Sequence, residues 1–314
     1  MKEHLLYHYG VFIGKIATGF RTMSSVITVM NMKGGVGKTT VSMHIAGMLA
    51  RYKLTPSGES KKILLIDYDP QFNLSQSMIP SEKYFSLEKN NKTTLSILTD
   101  DHEEKDPFTI NAPGSTNPPK AKDISVNFYS KKERSLDVIP ATLDLMYIAL
   151  ANSNKKTKPI HDRFRKFITE SRKLYDVIII DCHPAGSIFT QTSLSNSDHV
   201  IIPVVPQYYA TRGIGLMMTF INNKIREGAH IKPHILFNKT STKGISTEES
   251  QIRSNPRYSK YCLKNTLKNY KIFGDPQEGT GFVWNSGKPY STTAFRNLYA
   301  VSEEIATLIE KANT

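Results

Sequence analysis

Residues 33–40 read Lys33-Gly34-Gly35-Val36-Gly37-Lys38-Thr39-Thr40. A short β-branched run, 26–31, stands before them, and Val41, Ile45, Met48 and Leu49 recur on one helical face of 39–51 after them. A strand, a glycine loop and a helix start, in that order, make an anion cradle. Glycines let backbone N–H groups turn inward where side chains would obstruct them. The positive end of the helix points at the same place. Lys38 can then reach the β- and γ-phosphates of a nucleotide, and the Thr39 hydroxyl can ligate Mg²⁺. The loop departs from G-x-x-x-x-G-K-[ST] in one respect: Met32 holds the first glycine position and a second lysine, Lys33, opens the loop.

Outward from this loop, 63–67 (ILLID) and 177–181 (VIIID) are continuous apolar runs that end in an acid. A parallel strand buried on both faces reads this way. Further strands are expected at 136–139, 199–205 and 234–238, with helices at about 142–151, 161–174, 212–227 and 292–312. Strands alternating with helices predict an α/β fold, a mostly parallel twisted sheet flanked by helices on both faces. Ligands on such sheets sit outside the carboxyl ends of the strands, where the glycine loop, Asp67 and Asp181 fall.

The chain has 314 residues and a net charge of +13, with 39 % hydrophobic residues, enough for a substantial core. The charge suits nucleic acid, an anionic membrane face or a polyphosphate ligand. Cys182 and Cys262, 80 positions apart, exclude a disulfide scaffold and lack zinc spacing. No apolar run approaches the ~20 residues of a membrane span. Residues 1–22 read as an N-terminal extension, with Met23 as an alternative start, and 23–314 as a single nucleotide-binding domain. Within it, 100–133, rich in acids and then in Pro, Asn, Gly and Ser, reads as a long inserted excursion. Residues 221–274 hold eleven Lys/Arg against three Glu, and Lys260, Lys264, Lys268 and Lys271 recur at helical spacing with Tyr261 and Tyr270 between them. That spacing predicts a cationic stripe on one helix face, suited to DNA phosphates rather than base edges.

The motifs resemble the ParA/MinD superfamily of P-loop ATPases. KGGVGKTT at 33–40 is similar to its deviant Walker A box, LLIDYDPQFNLS at 64–75 to its second box, and YDVIIID at 175–181 to its Walker B strand. The segments at 136–145, 202–213 and 286–298 resemble its Ile-Pro segment, its strand and loop beside the nucleotide, and its carboxy-terminal turn and helix. The likeness spans about 24–310, and the DxDPQxN pattern points to the ParA/Soj partition branch.

The resemblance implies a fold of the P-loop NTPase type, ATP and Mg²⁺ as ligands, and an ATP-bound homodimer. Lys33 would cross to the phosphates of the second subunit. Residues 33–40 would cradle the triphosphate, with Pro206 and Asn238 near the base. Asp69 would orient the attacking water. Asp181 and Thr39 would hold Mg²⁺, and Asp67 would support either the loop or the metal shell. The implied partners are non-specific double-stranded DNA, through Lys260, Lys264, Lys268 and Lys271, and a ParB-like adaptor. The implied place is the cytoplasm, on the nucleoid. Glu303, Glu304 and Glu310 near the carboxy terminus argue against a membrane-binding helix.

After Asp181 the sequence reads Cys182-His183-Pro184-Ala185-Gly186, where the family usually has two prolines. His183 reads either as a γ-phosphate sensor or, the favoured reading, as a passive member of a switch loop. Two rivals stand beside DNA segregation. One is a nucleotide-switched regulatory protein acting on another cargo or in a defence operon. The other is a metabolic P-loop enzyme, which would have little use for Lys33.

Overall fold

The computed structural model describes residues 24–55, 61–100, 115, 117–150, 154–183, 186–274 and 282–312, and side chains at 150, 154–156 and 312 are not described. The extension expected at 1–22, and part of the excursion (101–114 and 116), lie outside the described residues. The first elements are β1 (Ser25–Val29), α1 (Lys38–Arg51), β2 (Lys62–Tyr68), α2 (Asn73–Met78), α3 (Ser81–Lys89), α4 (Leu95–Leu98) and α5 (Ala121–Ile124). Next come β3 (Val126–Lys131), β4 (Arg134–Ile139), α6 (Leu145–Leu150), α7 (Asn154–Arg172), β5 (Val177–Cys182) and α8 (Ile188–Ser195). Last are β6 (His199–Val204), α9 (Ala210–Arg226), β7 (Lys232–Phe237), α10 (Thr247–Ser254) and α11 (Ser291–Ala312).

The strands form one seven-stranded sheet in the order β3-β4-β2-β5-β1-β6-β7. All pairs are parallel except β3 with β4. The acid-ended runs are apolar throughout because both faces are covered. Leu64 and Ile66 of β2 and Ile178 and Ile180 of β5 join Phe164, Phe167, Phe189 and Met217 in one layer. Ile63 and Leu65, with Val177 and Ile179, join Ile45, Met48, Leu298 and Ile305 in the other. Each such Ile or Leu contributes roughly 1.5–3 kcal/mol by leaving water. The register then places the site: Val29 lies opposite Asp181, and Asp181 opposite Asp67. The glycine loop leaves β1, next to the central strand β5, beside two carboxylates.

The 100–133 excursion contains structure at its end, since α5 and β3 fall within it. Strand β3 makes a hairpin with β4 across a tight turn in which Lys132 has φ 56. A bulge between Asn127 and Tyr129 breaks the alternation that sequence reading relies on.

Three largely buried histidines stay neutral. His44 donates from Nδ1 to the Thr40 carbonyl (2.9 Å), and its Nε2 accepts the Val283 N–H (3.2 Å). His199 Nδ1 and His234 Nε2 are 3.0 Å apart on β6 and β7. Burial lowers the pKa of each to about 4. The unfolded chain takes up these protons near pH 6.5, so their stabilising contribution is complete above that pH and is lost as pH falls toward 4. The Asp67 and Asp181 carboxyls, pushed up by burial, act in the opposite sense, so a variant comparison is needed to isolate the histidines. Between pH 6.5 and 4 the wild type is expected to lose up to about 1.4 kcal/mol per pH unit per histidine more than His199→Phe/His234→Phe, measured as urea unfolding free energy.

Candidate functional site

The glycine loop is shaped by what holds its carbonyls. Asn238, at the end of β7, donates from Nδ2 to the Val36 carbonyl (2.8 Å), and Lys239 Nζ donates to the Gly35 carbonyl (3.0 Å). At the loop's start, Asn31 Nδ2 donates to the Pro203 carbonyl (2.7 Å), and its Oδ1 accepts the Lys33 N–H (3.1 Å). Gly35 and Gly37 have φ of 72 and 86, a region that costs a residue with a Cβ roughly 1–2 kcal/mol. A Cβ on Gly37 would also lie 2.4 Å from Asn238 Nδ2. Among the described residues no protein acceptor takes the N–H groups of 34–40; the first loop-to-helix bond is Val41 N–H to Gly37 O (2.9 Å). Those amides are thus left for an anion at the start of α1.

Lys38 lies beside Asp181 and Asp69. Burial lowers its pKa, and the two carboxylates oppose that shift. Asp181 is buried and accepts a hydrogen bond from the Ser42 hydroxyl (2.9 Å); burial pushes its pKa up to about 6, against the opposing effect of the Thr39 and Ser42 hydroxyls. Asp69 accepts the Gln71 N–H at Oδ1 (3.0 Å). Lys38, Thr39 and Asp69 border a cleft of about 810 Å³ that continues past Phe72 and Tyr84 on one side and reaches Phe273 on the other. That is the size of a small-molecule site.

Asp67 serves the loop. Its Oδ2 accepts both the N–H (2.9 Å) and the hydroxyl (2.6 Å) of Ser75, and its Oδ1 accepts the Asp69 N–H (3.3 Å). Burial and the neighbouring Asp181 hold its pKa well above the usual carboxylate range. Of the two roles open to Asp67, the geometry supplies the structural one. The expectation that Asn238 and Pro206 face the base meets a different arrangement. The Asn238 amide is committed to the loop carbonyl, and neither residue borders this cleft.

Lys33 is exposed, and its Nζ donates to Gln207 Oε1 (2.6 Å). Sequence reading did not single out Asn31, Ser42, Ser75, Gln207 or Lys239. Three of them sit at strand ends or one turn into α1, positions that the parallel-sheet reading already marked. Their partners, however, are 8 to 204 residues away in the chain.

The cationic helix expected over 260–271 is not formed. Lys260 lies in the 3-10 turn Ser259–Tyr261, Lys271 begins another, Lys271–Gly274, and Lys264 and Lys268 fall in irregular chain between them. The backbone bonds that a helix would need run outward instead. The Leu263 and Leu267 N–H groups go to the Ile235 and Phe237 carbonyls (both 2.9 Å), which covers the edge of β7. Lys264 and Asn265 N–H groups go to the Glu304 carboxylate (2.7 and 2.8 Å), and Lys268 N–H to Asn297 Oδ1 (2.8 Å). Lys260, Lys264 and Lys271 remain exposed, and Lys268 is half-buried.

The AAA_31 family, described as an AAA domain, matches residues 24–235. The chain belongs to this family. An uncharacterised protein of Methanocaldococcus jannaschii is 30 % identical over 79 % of this chain and 83 % of its own length. The chromosome partitioning protein ParA of Myxococcus xanthus is 27 % identical over 72 % of this chain and 67 % of its own. Among solved structures, a plasmid partition protein of Borrelia burgdorferi matches with a TM-score of 0.58 and 18 % identity, over 89 % of this chain and 99 % of that one. Cobyrinic acid a,c-diamide synthase of Mycobacterium smegmatis, with bound ATP analog and magnesium, matches with a TM-score of 0.56 and 22 % identity, over 80 % and 89 %. The chain is a ParA-like P-loop ATPase of the ParA/MinD superfamily.

The residues of this ParA-like ATPase fit ATP and Mg²⁺. Free amides and Lys38 suit the phosphates. The Thr39 hydroxyl and the Asp181 carboxylate are the hard oxygen donors magnesium prefers. Gly37→Ala combines a left-handed backbone with a clash on Asn238, and is expected to weaken ATP binding at least about tenfold in a fluorescent-nucleotide titration, since ~1.4 kcal/mol is tenfold.

Proposed function

We propose that this ATPase is a DNA-partition motor element: it pairs with a second copy on binding ATP, coats double-stranded DNA without sequence preference, and is released when a ParB-like adaptor stimulates hydrolysis. The observation that carries the reading is the division of labour between the two loop lysines. Lys38 is half-buried, its Nζ donates to the Lys33 carbonyl (3.5 Å), and the charges of Asp181 and Asp69 act on it. Lys33 is outside, and its one described side-chain bond is to a neutral amide. A cation beside the loop that pairs with no carboxylate among the described residues suits the triphosphate of a facing copy. Tyr208 and Tyr209, 83 % and 62 % exposed, stand next to Gln207 and offer apolar surface to that copy. The partition protein names among its relatives support the cargo.

Hydrolysis is in-line attack of water on the γ-phosphorus. The new P–O bond forms as the bond to the bridging oxygen breaks, and ADP leaves with that electron pair. Asp69 orients the water, and the loop amides and Lys38 hold the oxygens on which charge gathers. Thr39 and Asp181 would hold Mg²⁺, which offsets phosphate charge. Asp67 and Ser75 keep the Asp69 turn in shape.

Gel filtration tests the pairing. ATP with Mg²⁺ is expected to shift the wild type to a dimer, Lys33→Ala and Lys38→Ala to remain monomeric, and Asp69→Ala to persist as the dimer after wild type has decayed. A wild type that stays monomeric with ATP would refute the reading.

DNA contact is assigned to the exposed lysines of the irregular segment. Lys260→Glu/Lys264→Glu/Lys271→Glu is expected to weaken binding to duplexes of any sequence alike, and to lower the salt slope by about one for each phosphate that is no longer neutralised. Fluorescence anisotropy over a salt series, with ATP present, reads both.

A further inference from the structure

His183 stands where the sequence departs from its family, and its surroundings give it work. Its backbone N–H donates to the Tyr68 carbonyl (3.3 Å), which extends the β2–β5 pairing one residue past Cys182. Its ring meets the edge of Phe189, with centroids 6.2 Å apart. Its Nε2 is 3.9 Å from Asp69 Oδ1, and the two side chains are only 17 % and 12 % exposed. Asp69 borders the nucleotide cleft and His183 does not. The histidine lies behind the carboxylate.

Both described contacts of the Asp69 carboxylate fall on Oδ1: the Gln71 N–H and the His183 ring. Among the described residues Oδ2 has no protein donor. We propose that His183 is a positioning residue for hydrolysis: its Nε2–H holds Oδ1 from behind, so that Oδ2 is presented to the attacking water. The 3.9 Å separation is longer than a hydrogen bond. A movement of about 1 Å closes it, and such contacts commonly tighten only when substrate fills the site. A proline at this position would offer Asp69 no donor. The histidine gives the water-orienting carboxylate a holder within its own chain.

The inference rests on Asp69 orienting the water, and the experiment separates the two. Steady-state ATP hydrolysis and fluorescent-nucleotide binding are measured for wild type, His183→Ala, His183→Phe, His183→Gln, Asp69→Ala and His183→Ala/Asp69→Ala, each checked for an unchanged melting curve. Expected for His183→Ala is a fall in kcat of at least tenfold, with KM and nucleotide affinity within about twofold. His183→Phe keeps the packing on Phe189 without the donor and should match His183→Ala. His183→Gln restores a donor and should recover most of the rate. On an Asp69→Ala background His183→Ala should cost nothing further, because the histidine acts only through that carboxylate. Full turnover by a folded His183→Phe, or additive losses in the double variant, overturns the proposal. Full turnover by Asp69→Ala overturns the underlying reading instead. If His183→Ala does not fold, the His183→Phe and His183→Gln pair still decides.

Discussion

Backbone amides can hold an anion only if the carbonyls of the same loop are satisfied elsewhere. A polyphosphate carries several negative charges, and a carbonyl turned toward it would repel it. In this chain that constraint is met from the far side of the sheet. Asn238 and Lys239 leave the edge of β7 and take the Val36 and Gly35 carbonyls, while Asn31 ties the loop's first amide to β6. The place of β1 next to the central strand, with β6 and β7 beyond it, brings these residues under the loop. The cradle depends on sheet order as much as on glycine.

A second consequence concerns charge. Three carboxylates, Asp67, Asp69 and Asp181, crowd one end of the sheet, and each has a different task because each has different donors. Asp67 is saturated by Ser75 and the Asp69 amide, so it is structural. Asp181 holds the Ser42 hydroxyl and feels the Lys38 charge, which leaves it able to share a cation. Asp69, at the rim, keeps an oxygen for solvent and has His183 at its back. Like charges this close would be unfavourable in a dry interior without that distribution of partners.

The open edge of the sheet is handled by the irregular stretch after α10. Leu263 and Leu267 reach into the core while their amides pair with β7. The four-residue spacing of those leucines is also a helical spacing, which is why the lysines beside them read as one face of a helix. Local periodicity cannot tell a helix turn from an extended chain whose hydrogen bonds go to a neighbour. The same limit hid β3, whose bulge erases the two-residue period.

Much of the site was nevertheless legible in the residues alone. The glycine loop, its two lysines, Thr39 and the acid-ended strands carry their chemistry in local order: residue type and spacing along a few positions dictate strand, turn and helix start, and a parallel sheet follows from their alternation. What tertiary structure decided was every assignment that depends on a partner far along the chain. Asn238 clamps a loop carbonyl, Asp67 braces the Ser75 turn, the leucines beside the lysine run cover the sheet edge, and His183 stands near Asp69. Hydrogen bonds and burial are properties of pairs, and the pairs here are made by the crossover of strands, which no single segment encodes.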